Sequence, residues 1–372
     1  MKVTISLIKA DIGSFCGHHV VHPQQIQLAN EILKEAKESG KLIDFFVFNC
    51  GDDLELLMTH NYGENSSQIH GLAWEIFKQV TEKVSKKLKL YASGQDLLKE
   101  AFSGNVKGMG PGVAEMEIEE RPSEPFIVFA ADKTSPGGAW NLPLYRIFAD
   151  PMNTAGLVIS PQLCNGFTFR VMDVVAGKYI DLRCPQELHE LVALIGAHHH
   201  YAIERVFSNF DGSIAAVAST TRLSLIAGKY VGKDDPVLIV RAQHQFPAVG
   251  EILAPFAIPY IAPGAMRGSH YFPVFPCSLE DARCSYWDGP PRIVALGFQL
   301  CNGELLGLNG KMPADLFADK AFDEARRRSL EIATYLRTVM GEFEPARLQE
   351  SELEYTTLPQ VLEKLKDRWI SL

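Results

Sequence analysis

Three apolar runs in this chain end in carboxylates. TISLIKAD closes at Asp11, IDFFVFNCGDD at Asp52 and Asp53, and PFIVFAADK at Asp132 with Lys133 behind it. Each run has the length and the β-branched and aromatic content of a strand. Strand ends are rigid points, and the loops just beyond them commonly hold functional groups. A single aspartate there is ordinarily a turn former or a helix cap. Three runs with the same ending weaken that explanation. Carboxylates brought together repel one another and resist ionisation. A bound divalent cation removes the penalty, and hard oxygen donors select magnesium, calcium or manganese over zinc. Asp234 and Asp235, in LIAGKYVGKDDP, add two more acids. Six carboxylates fit more than one ion, as in two-metal phosphoryl chemistry.

The rest of the chain reads as a large α+β unit. Helical periodicity is clearest over Pro23–Gly40, Ser66–Leu88 and Phe322–Met340. Strand-like runs are more numerous: VTISLIKA, LIDFFVFN, LELLMTH, AEMEIEE, PFIVFAA, FTFRVMDVV, AIERVF, IAAVAST, VLIVRA and RIVALGFQL. AEMEIEE alternates, which predicts one wet face. The order is not a regular βαβα alternation, which argues against a Rossmann or TIM architecture. No linker, repeat or low-complexity segment divides the chain, so residues 1–372 read as a single catalytic domain.

Composition narrows the function. Hydrophobic residues make up 47% and charged residues 22%, which suits a soluble protein with a sizeable core. A net charge of −9 argues against a dedicated nucleic-acid binder, while a locally positive or metal-loaded site still accommodates anions. The seven cysteines include no C-x-x-C pair, which disfavours a disulfide framework or a zinc cluster and suits a reducing compartment. MKVTISLIKAD lacks the apolar stretch of a signal peptide, and no run approaches the roughly 18 apolar residues of a membrane span. The expectation is a cytoplasmic protein without a membrane partner.

Other stretches offer binding groups. GSFCGHHVVHP carries His18, His19 and His22, each suited to a metal or a phosphate, or to hydrogen bonding within the loop. GAHHHYAIE, set beside a strand, reads as structural or surface. In the glycine-rich Tyr91–Gly112 stretch, the amides of Gly104 and Asn105 suit a phosphate, because glycine lets backbone approach an anion. Arg267, in GAMRGSHY, suits bidentate phosphate recognition. PFAIPYIAPGAM is apolar without a clear helix or strand period, and reads as an exposed interface.

In order along the chain, IKADIGSFCGHH, NCGDDLELLMTH, YASGQDLL, SGNV, GPGVAEMEIEERPSEP, ADKT, NLPLY, LIAGKYVGKDDP, MRGSHY, DGPPR and EYTTLP resemble the bifunctional fructose-1,6-bisphosphate aldolase/phosphatase family. The resemblance spans almost the whole chain. It implies a gluconeogenic enzyme of archaea and some deeply branching bacteria. Such an enzyme condenses dihydroxyacetone phosphate with glyceraldehyde 3-phosphate, and the same site then hydrolyses the 1-phosphate of the product. A four-layer α-β-β-α sandwich and a homo-octamer are implied with it. So are several magnesium ions, held by Asp11, His18, Asp52, Asp53, Gln95, Asp132, Asp234 and Asp235. Catalysis would fall to Lys233, as Schiff-base lysine, and Tyr230. Sugar-phosphate contacts would fall to His18, Tyr91, Gly104, Asn105, Lys133, Ala242, Gln243, Arg267, Asp288 and Tyr355. The chain departs from the family pattern by one extra residue in SPGGAW and by Cys16, neither at a named catalytic position.

Under that resemblance LIAGKYVGKDDP reads as chemistry. Magnesium ions nearby would lower the Lys233 pKa and free its amine to attack a ketone. Tyr230, three residues earlier, is placed to carry the proton. Gly228 and Gly232 let the segment swing between an imine arrangement and a metal arrangement. Two rivals use the same acids: a magnesium-dependent fructose-1,6-bisphosphatase without aldolase activity, and a non-catalytic sugar-phosphate sensor.

Overall fold

Side chains alternate along a strand, so a strand that lies between two layers serves two different cores. A computed structural model describes residues 1–97, 110–219, 235–284, 286–350, 353 and 356–370. The smaller sheet has the order β2-β3-β1-β4, all antiparallel. Its strands are β1 (Lys2–Asp11), β2 (Asp44–Cys50), β3 (Asp53–His60) and β4 (Gly112–Glu119). The larger sheet contains β5 (Glu124–Asp132), β6 (Phe167–Asp173), β7 (Lys178–Arg183), β8 (Tyr201–Ser208), β9 (Ile214–Ala218) and β10 (Val237–Arg241). A separate ribbon pairs β11 (Ile261–Gly264) with β12 (His270–Pro273). Two more strands, β13 (Phe275–Pro276) and β14 (Arg292–Cys301), complete the larger order β13-β14-β5-β10-β9-β8-β6-β7.

Between the sheets, Val3, Ile5 and Leu7 of β1 meet Phe126, Val128 and Ala130 of β5, Val237 and Ile239 of β10, and Val294 and Leu296 of β14. The opposite face of the small sheet presents Ile8, Ala10, Leu54, Leu56 and Met58 to helices α1 (Pro23–Glu38) and α2 (Ser67–Val80), which answer with Ala29, Leu33, Ile69, Ala73 and Phe77. Beneath the other face of the large sheet, Ile127, Phe129 and Val240 pack against Trp140, Leu144 and Phe148 of α3 (Pro136–Ala149) and Leu191 of α4 (Leu188–Ile195). The class is α+β, as the sequence predicts. Among the described residues, no helix is long and apolar enough to cross a membrane.

The three predicted helices form. Pro23 opens α1, His22 caps it by accepting from Gln24 N, and Gly40 follows it at φ +76°. The second continues from α2 into a π-helical turn at Thr81–Ser85. The third is α5 (Asp323–Tyr335), which runs into a π-helical turn at Leu336–Met340. Each predicted strand-like run becomes a strand. The wet face expected for AEMEIEE forms only in part: Glu117 and Glu119 meet solvent, while α2 and the loop before it cover Glu115. That carboxylate accepts from Ser6 Oγ (2.6 Å) and Asn65 N (2.7 Å), and lies 3.2 Å from His70 Nε2. Nor is PFAIPYIAPGAM mainly surface. It folds into a 3-10 turn at Ala254–Ala257 and into β11, burying Phe256 and Tyr260, while Ile258 and Ile261 stay exposed.

Helix α3 escapes the periodicity reading because Pro143 sits inside it. Proline has no N–H to donate to the carbonyl four residues back. Tyr260 Oη supplies that bond instead, donating to Ala139 O at 2.7 Å. Tyr260→Phe leaves this buried carbonyl without its donor and should cost about 1–3 kcal/mol, read as a lower melting temperature.

At the far end of β5, Glu124 is gripped by two guanidiniums, Arg241 (2.9 and 2.5 Å) and Arg121 (2.8 and 2.6 Å). Burial pushes its carboxyl up, but Arg241 and then Arg121 more than compensate and hold it below its ordinary value. A depressed carboxylate contributes stability above its unfolded pKa and loses it as pH falls through the folded value. Glu124→Gln should therefore destabilise by about 3–5 kcal/mol near neutrality. Its deficit against the wild type should narrow in melting curves taken below pH 4.5.

Candidate active site

The face shared by the two sheets is apolar along most of its length and turns acidic at one end. On β1 the inward series Val3, Ile5, Leu7 continues as Lys9 and Asp11; on β3 Leu57 leads back to Glu55 and Asp53. On β5 the series Phe126, Val128, Ala130 reaches Asp132. Antiparallel β10 arrives at the same end with Asp235, two residues before Val237. Asp11 and Asp53 are register partners, as are Lys9 and Glu55. All of these side chains are buried.

A glycine sets how closely the sheets approach. Cys50 pairs with Asp53 across a two-residue turn, with Gly51 at φ +59°. A Cβ at Gly51 would overlap the Asp132 carboxylate. The small sheet's hairpin tip, carrying Asp52 and Asp53, thus sits directly against the end of β5. A strap over the hairpin fixes the contact: Gly51 N donates to Ala282 O (2.9 Å), Cys284 N to His19 O (2.9 Å), and His19 Nδ1 to Cys284 O (2.7 Å). The Cys284 thiol donates to Asp132 Oδ2 at 3.2 Å.

Asp11, His18 and Asp52 each offer a ligand atom within 4.8 Å of the others. His18 Nδ1 lies 2.6 Å from Asp52 Oδ2, and Lys133 Nζ lies 2.7 Å from Asp52 Oδ1 and 3.4 Å from Asp132 Oδ1. Burial opposes ionisation of Asp52, but Lys133 and His18 outweigh it and hold that carboxyl far below the usual range. Burial, then Asp52, Asp53 and Asp96, push Asp11 well up. Burial pushes Asp132 up too; Lys133 opposes this, while Asp52 and Asp235 add to it. Lys133 is held well above its ordinary value by Asp132 and Asp52, against the effect of burial. The cluster is short of positive charge, and its donors are carboxylate oxygens with one imidazole. That set fits a hard divalent cation.

Asp53 is ion-paired to Lys9 and stands outside the three-residue ligand group. Asp235 (φ +48°) accepts from the Lys133 and Thr134 amides, and its own N donates to Thr134 O at 2.6 Å. Lys133 (φ +63°) and Asp288 (φ +55°) also occupy the left-handed region, so three predicted site residues near this end of the sheets carry backbone strain, as Gln243 does elsewhere. Gly264 (φ +126°) runs so close to Lys133 that a Cβ there would meet the Lys133 carbonyl oxygen at 2.5 Å. This close approach sets the turn Ala265–Gly268, which carries Arg267, beside Lys133. The Tyr286–Asp288 turn is drawn in as well, since a Cβ at Gly289 would meet Ala265 Cβ at 2.7 Å.

Tyr91 bridges to Ser14 through both backbone bonds (3.0 and 3.1 Å), and its ring stands edge-on to His18 at 4.7 Å. Gln95 opens a 3-10 turn whose next residue, Asp96, accepts from Asp11 N at 2.9 Å. Ala242 and Gln243 lie past the other end of β10, about 17 Å away by strand rise alone. Gln243 (φ +67°) accepts there from Val249 N (3.0 Å). Gly104, Asn105, Tyr230, Lys233, Asp234 and Tyr355 lie outside the described residues.

His19 and His22 take the hydrogen-bonding alternative, one in the strap and one as a helix cap, while His18 joins the acids. Sequence reasoning missed Lys9, Glu55, Asp96 and Cys284. Lys9 and Glu55 did leave a signal, as charges placed inward in otherwise apolar strands.

Gly51→Ala tests the close approach. The added Cβ meets Asp132 and also sits in the left-handed region, whereas Gly40→Ala (φ +76°, open space) carries the backbone penalty alone. Gly40→Ala should cost about 1–2 kcal/mol. Gly51→Ala should cost more in melting experiments than Gly40→Ala, because only Gly51 faces the Asp132 carboxylate.

A family model described as fructose-1,6-bisphosphatase matches residues 2–370. Relatives named fructose-1,6-bisphosphate aldolase/phosphatase match along more than nine-tenths of their length. That of Ignicoccus hospitalis is 60% identical over 368 residues, covering 99% of this chain and 93% of the relative. That of Metallosphaera sedula is 56% identical over 369 residues, covering 99% and 94%. That of Moorella thermoacetica is 55% identical over 371 residues, covering 100% and 95%. The chain that brings these acids together between two sheets belongs to the fructose-1,6-bisphosphate aldolase/phosphatase family.

Proposed function

We propose that this protein is a gluconeogenic enzyme with two activities at one site. It condenses dihydroxyacetone phosphate with glyceraldehyde 3-phosphate, then hydrolyses the 1-phosphate of fructose 1,6-bisphosphate to give fructose 6-phosphate. The observation that carries the reading is the meeting of Asp11, His18, Asp52, Asp132 and Asp235 with Lys133 at the acidic end of the inter-sheet face. The names of the relatives point the same way.

Asp11, His18, Asp52, Asp53, Gln95, Asp132, Asp234 and Asp235 would hold several magnesium ions. Bound magnesium would supply charge neutralisation at the transferred phosphate and an activated water. Lys133 holds its ammonium beside Asp52 and Asp132, where it suits a phosphate oxygen. His18 and Tyr91 form one rim of the site, and the turns bearing Arg267 and Asp288 form another. Gly104, Asn105, Ala242, Gln243 and Tyr355 are the remaining substrate contacts in this reading.

For the aldol half, the Lys233 amine attacks the ketone carbon of dihydroxyacetone phosphate; one proton is taken up and water leaves, forming an iminium, and water later hydrolyses the product iminium to return the amine. That iminium accepts the electron pair released when a carbon-bound proton departs. Tyr230 takes this proton and later protonates the oxygen of the attacked aldehyde, which becomes the new hydroxyl. The whole chain acts as one catalytic unit in the cytoplasm. The succession of apolar clusters, helix to small sheet to large sheet to helix, favours the four-layer α-β-β-α arrangement. Exposed apolar side chains such as Val158, Ile159, Leu308 and Phe343 offer area for a homo-octamer.

Excess chelator should abolish phosphate release from fructose 1,6-bisphosphate, and added magnesium should restore it; undiminished hydrolysis in chelator rejects the metal reading. Borohydride with dihydroxyacetone phosphate should trap a covalent adduct on the wild type and none on Lys233→Arg, which stays protonated and forms no imine. Tyr230→Phe should lower aldol turnover by about 10²–10⁴-fold and hydrolysis by less. A Lys233→Arg variant with normal aldolase activity would leave the magnesium phosphatase as the better reading.

A further inference from the structure

One buried pair has no role in this mechanism. Lys9 and Glu55 face each other across β1 and β3, one layer deeper than Asp11 and Asp53. Both are fully buried. A buried ammonium needs a partner, and Lys9 Nζ takes Asp53 Oδ2. Glu55 is left over: neither of its carboxyl oxygens accepts a hydrogen bond among the described residues. Such a group calls for an explanation. Directly opposed residues in an antiparallel pair have Cβ atoms about 4.5–5.5 Å apart, and residues two apart on one strand are about 7 Å apart. Lys9, with its long flexible stem, therefore has both Asp53 and Glu55 within reach, and its ammonium contacts Asp53.

Building on the reading of Asp53 as a magnesium ligand, we propose that Lys9 is a resident counter-cation, which holds Asp53 until a divalent ion arrives and then moves its ammonium onto Glu55. Glu55 is thereby a positioning residue for metal loading. An ammonium and a divalent cation cannot comfortably share one carboxylate at this depth, where Coulomb repulsion is weakly screened. Moving one layer inward frees Asp53 and keeps the ammonium paired. Glu55 is the one carboxylate on that face placed to receive it, directly opposite Lys9 and without a hydrogen-bond donor of its own among the described residues.

The test uses the full-length protein, magnesium titrations by calorimetry and melting curves in chelator. Glu55→Gln keeps the volume and removes the charge. Its half-saturating magnesium concentration should rise about tenfold, while its melting temperature without metal stays at or above that of the wild type, since an unpaired buried carboxyl has gone. If Glu55 were purely structural, its loss would instead lower the melting temperature without metal as well as weaken magnesium binding. In a Lys9→Met background, Glu55→Gln should shift half-saturation by less than about twofold, because no ammonium remains to be received. If Lys9→Met does not fold, Glu55→Asp takes its place and should restore most of the wild-type affinity. Wild-type half-saturation in Glu55→Gln, or an undiminished shift in the Lys9→Met background, overturns the proposal. A wild-type protein that binds no magnesium fails the metal reading itself, a result separable from these because it precedes any variant.

Discussion

The packing of two antiparallel sheets face to face governs the rest of this structure. Aliphatic and aromatic side chains from β1, β4, β5, β10 and β14 fill the gap between the sheets. Apolar burial stabilises at roughly 25 cal/mol per Å², and that gain holds β1 and β3 against β5 and β10. The same strands carry acids at one end of the shared face. Period-two geometry gives those acids no other direction to point. The driving force for folding thus assembles a group of carboxylates that would separate if they were free to do so.

How that assembly is tolerated explains its electrostatics. Charge is distributed unevenly: Asp52 is strongly favoured as the anion by Lys133 and His18, while Asp11 and Asp132 are driven toward the protonated form. Two lysines, the buried Lys9 of the small sheet and the partly buried Lys133 just past β5, neutralise part of the cluster. What remains is a demand for positive charge in a preformed oxygen-rich site. A site in that condition suits a divalent cation, because each acid is anchored at a strand end or a tight turn.

Close backbone approach is the second condition. Gly51 lets a hairpin tip touch Asp132, and Gly264 lets the turn bearing Arg267 lie against Lys133. Lys133, Asp235 and Asp288 accept left-handed backbone around them. Strain of this kind persists only where surrounding structure overdetermines it. Here the surrounding structure includes the Asp235 carboxylate held by the Lys133 and Thr134 amides, and the strap that joins Cys284 to His19. Phosphate-sized groups bound here would meet a rim whose conformation is already fixed.

Much of this was written locally. Apolar runs ending at Asp11, Asp53 and Asp132 are strands because their own side chains favour the pleat, and α1 begins and ends where Pro23 and Gly40 say it should. The eleven ordered motifs identified the family without any coordinates. Tertiary contacts decided the rest. AEMEIEE alternates as a half-wet strand does, yet Glu115 is buried because a distant helix supplies His70 to meet it. Pro143 argues against a helix until Tyr260, far along the chain, donates to the carbonyl it leaves open. Lys9 and Cys284 gain meaning only from their partners, Asp53 and Asp132, which lie 44 and 152 residues away. Local propensity and period are properties of neighbouring residues, so the sequence alone determined three of the helices, most of the strands and the acids at strand ends. Which charge meets which, and whether a polar side chain sees water, depends on groups remote in the chain, and only the packed structure decided that.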